Sequence, residues 1–278
     1  MALVGGGRVS RSFIASLPFL AGHLGPVKAL SYRVASRISN ALRAGHPVRD
    51  YLPLDACRTI LIGVPEHQLG ATLSGLAAAP IVWPGKSVVL CESWRGSEAL
   101  EVLAQHGAAC ASLNSIDDEK GGSFLAEGDP AALQRVRELA GSSHLRVIEI
   151  SPAAKPIFLA SLTLTGEVLV PLLAAAAESL RAAGLSIPQV LAIIRVAVDR
   201  TARAYAKAGR KAWNAQLPPD QQEALCRQMT ALSKTDPALE RFFRQVSTAA
   251  LEFFGKDTAW LADRGNNYAA AKAGAVRG

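Results

Sequence analysis

Up to about residue 150 the chain alternates short apolar runs with amphipathic segments. ALVG (2 to 5), VKALSY (27 to 32), TILIGV (59 to 64), SVVLCE (87 to 92), ACASL (109 to 113) and LRVIEI (145 to 150) are short and rich in Val, Ile and Leu, which predicts strands. Between them, RVSRSFIASLPFLAG (8 to 22), VASRISNALRAG (34 to 45), EHQLGATLSGLAAA (66 to 79), GSEALEVLAQHG (96 to 107) and DPAALQRVRELAG (129 to 141) predict helices, the last with Pro130 at its first position. Such alternation predicts a parallel sheet with helices on both faces.

After Ser151-Pro152 the periodicity becomes helical throughout. Helices are predicted over about 153 to 183, 188 to 213, 219 to 233 and 236 to 254, separated by Gly184, Leu217-Pro218-Pro219 and Thr235-Asp236-Pro237, with a polar tail from about 262. The pattern implies a Rossmann-type parallel-sheet domain over 1 to 151 and an all-helical domain over 152 to 278. Two apolar stretches test this division. Residues 12 to 22 imitate a signal peptide but lack a small-residue cleavage site. Residues 157 to 177 approach the length of a membrane span, but Gly166, Glu167 and Pro171 interrupt them and no aromatic belt flanks them, so a buried central helix of a soluble domain is expected and no membrane partner.

Composition adjusts this picture modestly. Half of the 278 residues are hydrophobic and 19% are charged, which implies a sizeable core. The net charge of +7 suits an anionic ligand, but the 30 basic residues are dispersed. Arg195, Asp199, Arg203, Lys207 and Arg210 share a helix face; without interleaved aromatics this reads as a solvated, ion-paired face, and nucleic acid is not expected as a partner. Cys57, Cys91, Cys110 and Cys226 show no metal-ligand spacing, which predicts reduced thiols in a cytoplasmic protein and no metal site.

Candidate chemistry begins at the first predicted turn. Gly5, Gly6, Gly7, Arg8, Val9 and Ser10 follow a strand and open a helix, where a dinucleotide's pyrophosphate meets backbone amides and the positive end of the helix dipole. An NAD site usually places an acid at the end of the second strand to hold the ribose hydroxyls. The stretch Ser31 to Arg37 has none; Arg33 and Arg37, with Ser31 or Ser36, can instead grip a 2′-phosphate, which favours NADP.

With GGGRVS, SYRVASR, LIGVPEHQL, SLNSI and AEGDPAAL in place, the sequence resembles the Rossmann-like NADP oxidoreductases with an uncharacterised helical C-terminal domain. These are relatives of pyrroline-5-carboxylate reductase, ketopantoate reductase and 6-phosphogluconate dehydrogenase. The resemblance implies that Val64 and Pro65 flank the cofactor, and that the helical domain walls the nicotinamide cleft and mediates homodimerisation. It also implies residues that this chain lacks. Where the family has a Ser-Gly element preceded by His, the chain has Glu92-Ser93-Trp94-Arg95-Gly96, and Asn114-Ser115 stands in place of His-Pro. The family's Tyr-His pair and Asn are replaced by Phe158-Leu159 and Gly166, and GRKAWN stands for Arg-Gly-Asp.

Three residues retain catalytic candidacy. Lys155 resembles the lysine of the Lys-x-x-x-Asn arrangement in β-hydroxyacid dehydrogenases, although Leu159 occupies the Asn position; the alternative is a surface lysine at a helix start. Ser93 and Asn114 fall at the carboxyl ends of predicted strands, where each can contact ligand or cap a turn. Glu167 is unusual in an apolar helix and requires a partner if buried. These readings converge on an NADP-dependent oxidoreductase acting in an interdomain cleft on a small-molecule carbonyl, imine or hydroxyacid. The alternative is a catalytically degenerate Rossmann protein serving as a nucleotide- or partner-binding module.

Overall fold

A computed structural model describes residues 1–6, 20–116, 122–141, 145–213 and 217–261. Within them, eight strands form one sheet: β1 (Ala2–Gly5), β2 (Pro26–Ala29), β3 (His46–Pro47), β4 (Thr59–Gly63), β5 (Ser87–Cys91), β6 (Ala109–Ile116), β7 (Ser123–Gly128) and β8 (Arg146–Glu149). Their order is β3-β2-β1-β4-β5-β6-β7-β8, and β1 to β6 pair in parallel. This is a Rossmann-type sheet.

Period-two alternation divides the strand side chains between two cores. Leu3, Val27, Leu61, Val89 and Leu113 pack with Ile38 of α1 (Tyr32–Leu42) and Val136 of α3 (Pro130–Gly141). Val4, Ile60, Ile62, Val88 and Leu90 pack on the other face with Leu69, Leu73 and Leu76 of α2 (Glu66–Ala77). Both faces are therefore buried, which explains why β4 and β5 have no exposed residue.

Two local expectations fail. GSEALEVLAQHG is not one regular helix but a 3₁₀ turn over Ser97–Leu100 followed by a single helical turn over Glu101–Ala104. SFLAEG, not predicted as a strand, forms β7, antiparallel to β6 and parallel to β8. The pairing ends at Gly128, whose φ of 136° and close approach to β6 both demand glycine: a Cβ there would lie 2.3 Å from the Cys110 carbonyl oxygen.

The chain divides into compact units Met1–Leu162 and Thr163–Gly278. The helices from 155 onward are α4 (Lys155–Thr165), α5 (Leu169–Ala182), α6 (Ile187–Ala208), α7 (Pro219–Thr235) and α8 (Pro237–Phe253). Ser186 and Gln189 form a capping box at α6, and the Asp236 side chain accepts from the Ala238 and Leu239 amides at α8. Met229, Leu251 and Leu261 form a small core with Phe243, Phe254 and Trp260.

The expected buried central helix is not found. Residues 166–168 break it into α4 and α5, and Ile157, Leu164 and Val170 are 75%, 64% and 63% exposed. Pro152–Ala182 is long and apolar enough to cross a membrane by length and composition, and none of its most apolar window is buried. Glu167 sits exposed in the break, so its charge is hydrated and needs no partner.

Candidate functional site

The chain leaves β1 toward β2 on one side of the sheet, while β4 lies on the other. Such a reversal, at the carboxyl ends of β1 and β4, is the usual ligand position in open α/β sheets. There the Gly6 amide donates to the Gly63 carbonyl at 2.9 Å. A Cβ on Gly6 would stand 2.9 Å from both Gln68 Oε1 and Pro65 Cδ, so any side chain there would force Pro65 and the Gln68 side chain to shift. Gly5 and Val64 are buried and Pro65 is half-buried at the N-cap of α2. Gly7, Arg8, Val9 and Ser10 lie outside the described residues.

At the end of β2 the Ser31 hydroxyl accepts from the Val34 amide at 3.3 Å and caps α1. Its oxygen thus performs a structural task. Arg33 and Arg37 stand one turn apart, both exposed, and neither side chain has an ion pair or hydrogen bond among the described residues. Ser36 is half-buried between them, and the first turn of α1 holds no acid. Two guanidinium groups without a partner among the described residues, on a helix whose first turn holds no acid, form an anion-attracting edge at the end of β2.

The loop after β5 is tethered by a residue that sequence reasoning missed. Glu66, the first residue of α2, accepts from the Ser93 hydroxyl at 2.5 Å and the Trp94 amide at 2.8 Å through one carboxylate oxygen. Ser93 Oγ accepts in turn from the Arg95 amide at 3.0 Å, and Arg95 Nε lies 3.5 Å from Glu66 Oε2. Ser93 is buried, so its hydroxyl organises this loop. Asn114 is also buried; its side-chain nitrogen donates to the Ser93 carbonyl at 3.3 Å, while its Oδ1 is buried without a hydrogen-bond partner. The carbonyl acceptor fixes the amide orientation, because a flip would set two oxygens against each other. Cys91, at the end of β5, is an inert neighbour: burial, and then Glu92, push its thiol up from the usual value.

Lys155 is 1% exposed, which excludes the surface alternative. Its ammonium donates to Ser112 Oγ at 2.5 Å and lies 3.9 Å from Glu127 Oε1. Glu127, fully buried on β7, also accepts from the Ser112 hydroxyl, and from the Ser97 amide and hydroxyl at 2.7 Å each. Burial pushes the Lys155 ammonium below its ordinary value, and Glu127 and then Glu98 oppose that shift. Glu127 and Ser112 were not singled out from the sequence. The available signal was one acid inside the apolar run SFLAEG, which only a buried cation can accommodate cheaply.

A profile described as a domain of unknown function (DUF2520) matches residues 123–249. No curated protein matches the chain. Among solved structures, a reductive aminase from Aspergillus terreus in complex with NADPH and ethyl-5-oxohexanoate is 14% identical, with a TM-score of 0.67, over 94% of this chain and 98% of that one. An imine reductase variant from Myxococcus stipitatus in complex with NAD+ is 18% identical, with a TM-score of 0.65, over 95% and 98%. The chain shares their fold. A Thermotoga maritima protein, 14% identical with a TM-score of 0.61, covers 89% of this chain and 99% of its own.

Proposed function

We propose that the chain is a nicotinamide-dinucleotide-dependent oxidoreductase that prefers NADP(H) and acts on a small carbonyl, imine or hydroxyacid compound. The observation that carries this reading is the turn after β1, where a Cβ on Gly6 would force Pro65 and the Gln68 side chain to shift. Its cofactor preference rests on Arg33 and Arg37, exposed at the end of the adjoining strand β2 and without a partner among the described residues. The reductive aminase and imine reductase of like fold, bound to NADPH and NAD+, support the class of cofactor.

The residues present fit such a group. Gly5 and Gly6 let the backbone approach a pyrophosphate, Arg33 and Arg37 hold a 2′-phosphate, and Val64 and Pro65 form an apolar edge. The bound reduced nicotinamide supplies a hydride to the carbon of a C=O or C=N bond, whose oxygen or nitrogen takes up a proton. Asn114 Oδ1, buried without a hydrogen-bond partner, keeps acceptor capacity at the end of the sheet next to the Ser93 loop. We assign Lys155 a positioning role, since its ammonium is committed to Ser112 and Glu127. That burial also favours the second reading, a dinucleotide-binding module without catalysis, because it withdraws the one ammonium expected to meet substrate. We further propose a homodimer through the helical unit, whose exposed apolar side chains on α4 and α5 require cover.

The test is a screen for NADPH consumption over ketones, imines and 2-oxo acids. Turnover of any class, abolished by Arg33→Ala/Arg37→Ala at limiting NADPH and recovered at high NADPH, supports the enzyme. NADPH binding without turnover across the screen supports the module.

A further inference from the structure

The loop Glu92 to Gly96 combines a fixed backbone with two projecting side chains. Glu92 is held at φ 54°, a left-handed conformation that non-glycine residues seldom adopt. The next residues are pinned in succession: Ser93 Oγ and Trp94 N to Glu66, Arg95 N to Ser93 Oγ, and the Ser93 carbonyl to Asn114. Yet Trp94 is left 53% exposed and the Arg95 side chain 64% exposed. A large aromatic in water contributes little to folding, and the exposed Arg95–Glu66 pair is worth little as a salt bridge. The tether therefore serves to present these side chains and gains little stability from them.

Their placement relates them to the carboxyl ends of β1 and β4. β5 is the immediate parallel neighbour of β4, and adjacent strands lie about 5 Å apart, so this loop stands at the same carboxyl edge of the sheet as the turn after β4. Arg95 turns its Nε toward Glu66, and its two terminal nitrogens have no partner among the described residues. That leaves the end-on fork which matches a carboxylate in two parallel hydrogen bonds. Trp94 offers a flat apolar surface on the adjoining residue. Beneath the loop, Asn114 Oδ1 is buried without a hydrogen-bond partner, as is Glu66 Oε2, which has only the Arg95 Nε at 3.5 Å.

We propose that Trp94 and Arg95 are specificity-determining residues that select a carbonyl or imine substrate carrying both a planar apolar group and a carboxylate, the Arg95 fork taking the carboxylate and the Trp94 face the planar group. This rests on the oxidoreductase reading, since that reading supplies the reacting bond.

The test is calorimetric titration of the full chain with phenylpyruvate and with phenylacetone, which lacks the carboxylate, each with and without saturating NADPH. NADPH itself is titrated first into wild type, Arg95→Ala and Trp94→Leu. The expected result is phenylpyruvate binding about ten-fold or more tightly than phenylacetone, corresponding to one charge-assisted pair. Arg95→Ala should erase that preference, Trp94→Leu should weaken both ligands, and neither should change NADPH affinity. Equal binding of the two ligands by wild type, or a preference that survives Arg95→Ala, overturns the proposal. No NADPH binding in any variant overturns the cofactor reading alone, because an Arg95-dependent preference in the cofactor-free titrations still sustains the recognition element.

Discussion

Glu127 shows how strongly a single buried group constrains its neighbours. Its carboxylate accepts from Ser97 twice and from Ser112, and it faces the enclosed Lys155 ammonium at 3.9 Å. Glu127→Ala should therefore destabilise the protein by about 3–5 kcal/mol in urea unfolding, because it leaves a buried cation unpaired. Lys155→Met combined with Glu127→Leu should recover most of that loss. If the single variant costs no more than an ordinary surface change, the pair is not what holds β7, β6 and the start of α4 together. Lys155 itself was legible as a residue of interest, but its environment was not. A lysine at a helix start looks the same in sequence whether it faces water or a carboxylate on a distant strand. Ser93 was likewise found at the correct strand end, whereas its partner Glu66 lies 27 residues earlier and carries no local signal.

At the level of elements, the strands buried on both faces were the readable ones. TILIG and SVVLC are continuous apolar runs, and their placement in β4 and β5 follows directly from that. β7 was missed because SFLAEG is short, ends on glycine and carries an acid whose burial depends on Lys155. The long apolar stretch misled in the opposite sense: hydropathy indicates that a surface needs cover, and it does not say whether the same chain supplies it. The glycine turn makes an element-scale prediction. Gly6→Ala should displace Gln68 or Pro65, since its Cβ would lie 2.9 Å from each, and should abolish or severely weaken dinucleotide binding while leaving the circular dichroism of the sheet intact. Unchanged affinity in that variant would show that the turn is shaped for packing and does not serve a ligand.

At the scale of the whole molecule, the exposed apolar residues of α4 and α5 predict self-association. Sedimentation should give a dimer, and Leu164→Glu/Val170→Glu should shift it toward monomer; a monomeric wild type at micromolar concentration would contradict the homodimer proposal. The chemistry turns on whether the carboxyl ends of β1 and β4 hold a nicotinamide dinucleotide and whether Arg33 and Arg37 choose its phosphate. The most direct measurement is calorimetric titration of the purified protein with NADPH and NADH at one salt concentration. Saturable binding is expected, with NADPH the tighter ligand, and a selective loss of NADPH affinity in Arg33→Ala. Binding of neither nucleotide would contradict the cofactor site, and equal effects of Arg33→Ala on both would contradict the 2′-phosphate assignment.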